Sequence, residues 1–156
     1  MNSDAGDCES VTLVVRRRIK ASPERLFRAW TDAKEFVRWW GPSGVVCERA
    51  DIDLRVGGAY SIANRLDNGQ LITISGAFEL IEPPQRIVYS WQVDPGAEAA
   101  SRVVVLFMAK EGDETEVVVT HERIATDEIA ADHQRGWVGC LSGLATFTAR
   151  SSGLEQ

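Results

Sequence analysis

From Val11 to Lys20 the chain alternates, with Val11, Leu13, Val15 and Ile19 on one face and Arg17 interrupting it. Rich in β-branched residues, this stretch predicts a strand. Ala21-Ser22-Pro23-Glu24 then reads as a helix start, with Ser22 as N-cap and Pro23 at the first helical position. That helix carries Leu26, Phe27 and Trp30, and Thr31 or Asp32 can cap a second short helix ending near Trp39-Trp40, where Gly41-Pro42 stops it. Strand signals follow over Val45–Leu54, Ala59–Arg65, Leu71–Ile81, Arg86–Trp91, Ser101–Ala109 and Thr115–Glu122. Between them lie Gly57-Gly58, Asp67-Asn68-Gly69, Pro83-Pro84, the polar loop opened by Asp94-Pro95-Gly96, and Glu111-Gly112-Asp113, all turn sequences. The period then changes. Gln134, Trp137, Val138, Leu141, Leu144, Ala145 and Thr148 recur at helical spacing and predict a long amphipathic helix over about 127–149.

Hairpin-linked strands imply an antiparallel sheet whose apolar face must be covered, and the final helix is the element long enough to cover it. The predicted architecture is α+β: a curved antiparallel sheet of six to seven strands wrapped around a long C-terminal helix, with two short helices after the first strand. A length of 156 residues suits one domain, expected over 11–149, with loose ends at 1–10 and 150–156. Seventeen Lys and Arg against twenty-three Asp and Glu leave a net charge of −6. This balance argues against nucleic acid as a partner despite Arg16-Arg17-Arg18, because phosphate binding needs a basic face. Cys8, Cys47 and Cys140 fit neither a disulfide framework nor a zinc pattern, and are expected as reduced thiols in the cytoplasm. Met1 to Ser10 lacks the basic start and apolar run of a signal peptide, and no apolar stretch is long enough to span a bilayer.

None of the common nucleophile, zinc-protease or phosphate-loop motifs is present, and His121 and His133 have no second imidazole or thiol at metal-ligand spacing. No catalytic residue, metal or cofactor is assigned. The alternation along the strands is more informative. Val117, Val119 and His121 share one face, as do Ile87, Tyr89 and Trp91, and Tyr60 and Ile62. If these faces are concave, Tyr60, Tyr89, Trp91 and His121 project toward the long helix, opposite Trp137. Such residues either line a small-molecule cavity with a few polar tips or form an ordinary core with those tips satisfied. Arg17 either supplies a cation near His121, should the first and last strands pair, or snorkels out at the sheet end. Trp39 and Trp40 either line the rim or clamp the short helices. Gly136, Gly139 and Gly143 inside the last helix need either close packing or room for a ligand to offset their low helix propensity.

The chain also carries a family pattern. Its parts are Ala21-Ser22-Pro23-Glu24-Arg25-Leu26-Phe27, Ala29-Trp30-Thr31-Asp32, Arg38-Trp39-Trp40-Gly41-Pro42, and Asp53-Leu54-Arg55-Val56-Gly57-Gly58-Ala59-Tyr60. The Gly76-x-Phe78 strand, Glu82-Pro83-Pro84, Val88-Tyr89-Ser90-Trp91, His121 and Gly136-Trp137 follow in order. Together these resemble the helix-grip superfamily of START and birch-pollen-allergen-like domains (SRPBCC), in the branch related to the C-terminal domain of the activator of the Hsp-90 ATPase. The resemblance implies the helix-grip fold and a cavity between sheet and helix, and it favours a small-molecule binding protein. The expected ligand is apolar or aromatic, lined by Tyr60, Tyr89, Trp91, His121 and Trp137, with Arg17, Trp39 and Trp40 as rim or polar contacts. A co-chaperone-like module with a chaperone partner is the alternative. Third comes a cyclase or aromatase using His121 or a tyrosine as acid/base.

Overall fold

A computed structural model describes residues 10–41, 44–94 and 100–155, with side chains as far as residue 150. The tail up to residue 9, with Cys8, and the predicted turn residues Pro42, Pro95 and Gly96 lie outside them. The chain runs β1 (Val11–Ile19), α1 (Pro23–Thr31), α2 (Ala33–Trp39), β2 (Val45–Ile52), β3 (Ala59–Leu66) and β4 (Leu71–Glu82). It continues through β5 (Arg86–Asp94), β6 (Ser101–Lys110), β7 (Glu114–Ile124) and α3 (Asp127–Glu155). The helix α3 therefore extends past the end predicted near Ala149.

The short helices begin where their caps dictate. The Ser22 side chain accepts from the Arg25 amide at 3.1 Å, and the Asp32 side chain accepts from the Lys34 amide at 2.9 Å. Asp32 also ends α1, its own amide bonding to the Arg28 carbonyl at 2.9 Å. One residue thus serves two helices and fixes the corner between them. Glu35 of α2 bridges back to Arg25 at 2.6 Å and Arg28 at 3.1 Å.

All strands pair antiparallel in the order β1-β7-β6-β5-β4-β3-β2, so β1 and β2 form the edges. Irregularities in register at Val11/Leu13, Cys47/Arg49 and Phe78/Leu80 accompany the bending of the sheet into a curved surface. The inward alternation holds as read: Val117, Val119 and His121, Ile87, Tyr89 and Trp91, and Tyr60 and Ile62 are buried, and Leu141 and Leu144 of α3 meet the same core. Burying such a side chain fully contributes about 1.5–3 kcal/mol.

Two glycines of α3 have different surroundings. A Cβ on Gly143 would stand 2.6 Å from the Trp39 carbonyl oxygen, so α2 and α3 touch backbone to helix there. A Cβ on Gly136 would meet nothing within 4 Å. Close packing accounts for Gly143, and open space lies beside Gly136. Arg25 and Arg38 lie over the Phe147 ring at 5.2 and 5.7 Å and tie the short helices to α3.

Candidate functional site

The space between the β2–β5 half of the sheet and α3 holds a cavity of about 160 Å³. Its apolar wall comes from Val45, Leu66, Ile72, Ile74 and Cys140. Its polar and aromatic lining is Trp40, Asn64, Trp91, His133 and Trp137, with Gly136 at the open stretch of the helix and Asp132 beside it. Asp132 is paired with Arg135. No Lys or Arg is among the described residues lining this cavity.

The predicted site residues divide between this cavity and the packing around it. Trp91 and Trp137 line the cavity, and Trp40 joins them from the C-cap of α2. Tyr60 and Tyr89 instead border a separate void of about 20 Å³, with Trp30, Phe36 and Phe78. Their hydroxyls are used internally: Tyr60 donates to the Ser90 carbonyl at 2.6 Å, and Tyr89 accepts from the Trp30 indole at 3.2 Å. Burial raises the pKa of both phenols, so both stay protonated. Trp39 is a clamp, its indole donating to the Ala29 carbonyl at 2.8 Å. Arg17 is exposed. β1 and β7 do pair, but the register sets Leu13 opposite His121 and Arg17 opposite Val117, so Arg17 is four residues along the strand from the position that would face the imidazole.

His121 is fully buried behind the cavity. The Trp137 Nε1–H donates to its Nδ1 at 3.1 Å, which makes Nδ1 the acceptor and puts the neutral ring's proton on Nε2. Nε2 in turn lies 2.7 Å from the Ser101 hydroxyl, and that hydroxyl points on to the Trp91 carbonyl at 3.4 Å. Both ring nitrogens are therefore engaged, and the relay reads Trp137 to His121 to Ser101 to Trp91. Burial, followed by the facing His133, pushes the His121 pKa down to about 3. A neutral imidazole with no free lone pair is not poised for the acid/base role the cyclase reading would give it. His133 stacks on it, with ring centroids 4.7 Å apart and planes 20° from parallel. The two histidines thus do meet, although nothing in their sequence spacing shows it. Among the described residues no group of His, Cys, Asp and Glu is arranged to hold a metal.

The tryptophans form one connected cluster. Trp40 meets Trp91 at 6.2 Å and Trp137 at 5.4 Å, and Trp91 meets Trp137 at 5.3 Å. Trp30 adds contacts to Trp39 at 5.0 Å and Trp137 at 6.0 Å, while Trp39 touches Trp40 at 5.6 Å. Four buried side-chain polar atoms among the described residues have no partner within the protein: Trp40 Nε1, Asn64 Oδ1, Trp91 Nε1 and Arg102 Nε. The first three belong to residues that line the cavity. Asn64 is the residue that sequence reasoning missed. It continues the inward face of Tyr60 and Ile62 at period two, so the alternation itself carried the signal. The buried thiols are inert: burial pushes Cys140 up to about 12 and Cys47 up to about 11.

Comparison with known proteins fits this geometry. Among solved structures, a protein from Chromobacterium violaceum is 29% identical, with a TM-score of 0.78 over 86% of this chain and 94% of its own. The AHSA1 protein from Silicibacter pomeroyi is 26% identical, with a TM-score of 0.79 over 90% of this chain and 99% of its own. CalU16 from Micromonospora echinospora is 25% identical, with a TM-score of 0.68 over 88% of this chain and 76% of its own. No curated protein gives a significant match. The family described as Activator of Hsp90 ATPase homolog 1-like protein matches residues 20–149, which hold six of the seven strands and most of α3. With that match across the strands and helices that frame the cavity, the chain belongs to the Activator of Hsp90 ATPase homolog 1-like family of the helix-grip superfamily.

Proposed function

We propose that this protein binds a small apolar or aromatic molecule in the cavity between the sheet and α3. The observation that carries the reading is the cavity itself, about 160 Å³ between sheet and helix, with Val45, Leu66, Ile72, Ile74 and Cys140 on its apolar side and Trp40, Asn64, Trp91, His133 and Trp137 beside them. An apolar enclosure with a few polar groups converging on it is the usual construction of a small-molecule site. Trp91 and Trp137 then act as ligand-facing walls, and His121 holds Trp137 in position through its Nδ1.

Amide chemical shifts of the isotope-labelled protein, titrated with small aromatics, flavonoids, fatty acids and sterols, test the reading. The expected result is saturable shifts clustered at Asn64, Trp91, Gly136 and Trp137 for at least one compound class. Tyr89→Phe should lower stability by about 1–3 kcal/mol, because it strands the Trp30 N–H. It should leave affinity within about twofold, because Tyr89 borders the other void. No shifts from any class would remove the proposal. The family description supports a second reading, association with an Hsp90-type chaperone. It predicts a changed chaperone ATPase rate, and an unchanged rate at excess protein would reject it.

A further inference from the structure

Two openings share one wall. The cavity beside α3 has Trp91, Val93 and His133 in common with a smaller notch of about 20 Å³, whose further lining includes Ser101, Arg123 and Ile129. Both spaces are open to solvent on one side. We infer, resting on the binding reading above, that the ligand is an apolar molecule ending in a carboxylate. Its body lies in the cavity against the shared wall, and Arg123 meets its anionic end in the notch.

Charge selects the sign of that end. Among the described residues of the notch, Arg123 is the only Lys, Arg, Asp or Glu. It makes no ion pair with any described residue. The acid on the cavity lining, Asp132, is already paired with Arg135. A cationic ligand would compete with Arg135 for that acid, whereas a carboxylate meets a guanidinium whose planar fork is unused. A phosphate ester carries more charge and asks for more than one cation. The open side of the notch lets a carboxylate keep part of its hydration, so it escapes the cost of full burial.

The backbone at Arg123 points the same way. Val117, Val119 and His121 face inward on β7, and the next position of that alternation is Arg123. Arg123 is exposed instead, and Ile124 is buried. The register with β1 slips here: Leu13 stands opposite His121 and Val11 opposite Ile124, two steps against three. In this bulge Arg123 takes a φ of 63°, a left-handed conformation that long side chains rarely adopt. Asp113 shares that conformation, but it lies in a hairpin turn after Gly112, where aspartate is an ordinary choice. A glycine would form the bulge on β7 at lower cost, so the arginine there runs against the backbone's preference. Bulges re-aim side chains beside binding sites, and residues held in such conformations cluster there. Arg123 is two residues beyond His121, about 6–7 Å along a strand, and His133 of the shared wall stacks on His121 at 4.7 Å.

Isothermal titration calorimetry with 4-isopropylbenzoate, octanoate, their two primary amides and protonated 4-isopropylbenzylamine tests the assignment. At least one carboxylate should bind about tenfold more tightly than its own amide and than the amine, and which one does so tells an aromatic body from an alkyl one. In Arg123→Gly that tenfold preference should vanish while the amide's affinity stays within about twofold. The same variant relieves the left-handed strain, so its Tm should equal or exceed that of the wild type. Equal binding of carboxylate and amide, preference for the amine, or a carboxylate preference that survives Arg123→Gly would each overturn the assignment while leaving a binding cavity in place. A lowered Tm with both carboxylate and amide affinity lost would make Arg123 a structural residue and overturn it as well. Silence from every probe, together with no shifts in the broader panel, would overturn both readings.

Discussion

At His121 the protonation state follows from what surrounds two nitrogen atoms. Trp137 donates to one and Ser101 faces the other, while His133 covers the ring. Protonation would turn Nδ1 into a second donor against the indole N–H and place a charge in the core. In the unfolded chain the imidazole titrates near 6.5, whereas in the native protein it stays neutral down to about 3. Between those values the unfolded state holds the extra proton. This contribution to stability is therefore complete above about pH 6.5 and is lost progressively as pH falls toward 3. Urea unfolding between pH 4.5 and 7.5 should show wild-type stability falling more steeply with acid than that of His121→Asn, by up to about 1.4 kcal/mol per pH unit. Equal slopes would mean that native His121 protonates freely. The inward direction of His121 was legible from period-two alternation. Its partners were not, because Trp137 and Ser101 lie 16 and 20 residues away on other elements. Asn64 is legible by the same alternation, but an amide does not stand out among aromatics as a site residue.

Among the elements, α1, α2 and the hairpins were readable because their signals are local: Ser22 and Asp32 as caps, and glycine-rich turns between alternating strands. The glycines of α3 required the neighbours. Gly143 is held against the Trp39 carbonyl, and Gly136 is not held against anything. Gly136→Ala should therefore raise stability by up to about 1 kcal/mol, a few degrees in Tm, through helix propensity. Gly143→Ala should lower it by about 1–3 kcal/mol despite the same propensity gain, because α2 must move away. Thermal unfolding of the two variants decides this, and the reverse ranking would contradict the packing. Gly136→Ala also adds a methyl on the cavity side of α3, so its gain in stability should come with weaker ligand binding.

In the molecule as a whole, the pairing of β1 with β7 brings the first and last strands together and leaves β1 and β2 as sheet edges. Motif order and strand count made the helix-grip architecture legible. The division of the interior into separate voids was not, since it depends on how bulky rings from six elements share one space. A ligand that enters only the native cavity must stabilise the whole fold: at a concentration 100 times its Kd the gain is about 2.7 kcal/mol. The Tm should thus climb with the logarithm of the concentration of any compound that shifts the cavity amides, and a Tm unmoved at saturation would show that native and unfolded chains bind it alike. The five tryptophans supply a further property of the molecule. All belong to one chain of ring contacts no longer than 6.2 Å, and two of them border the cavity with unpaired N–H groups. At such separations excitation absorbed by any one indole migrates among the rest before it is emitted, so the light the protein emits comes from the cluster as a unit. A ligand that touches Trp40, Trp91 or Trp137 should then alter the emission of the cluster as a whole, an optical gauge of whether the cavity is occupied.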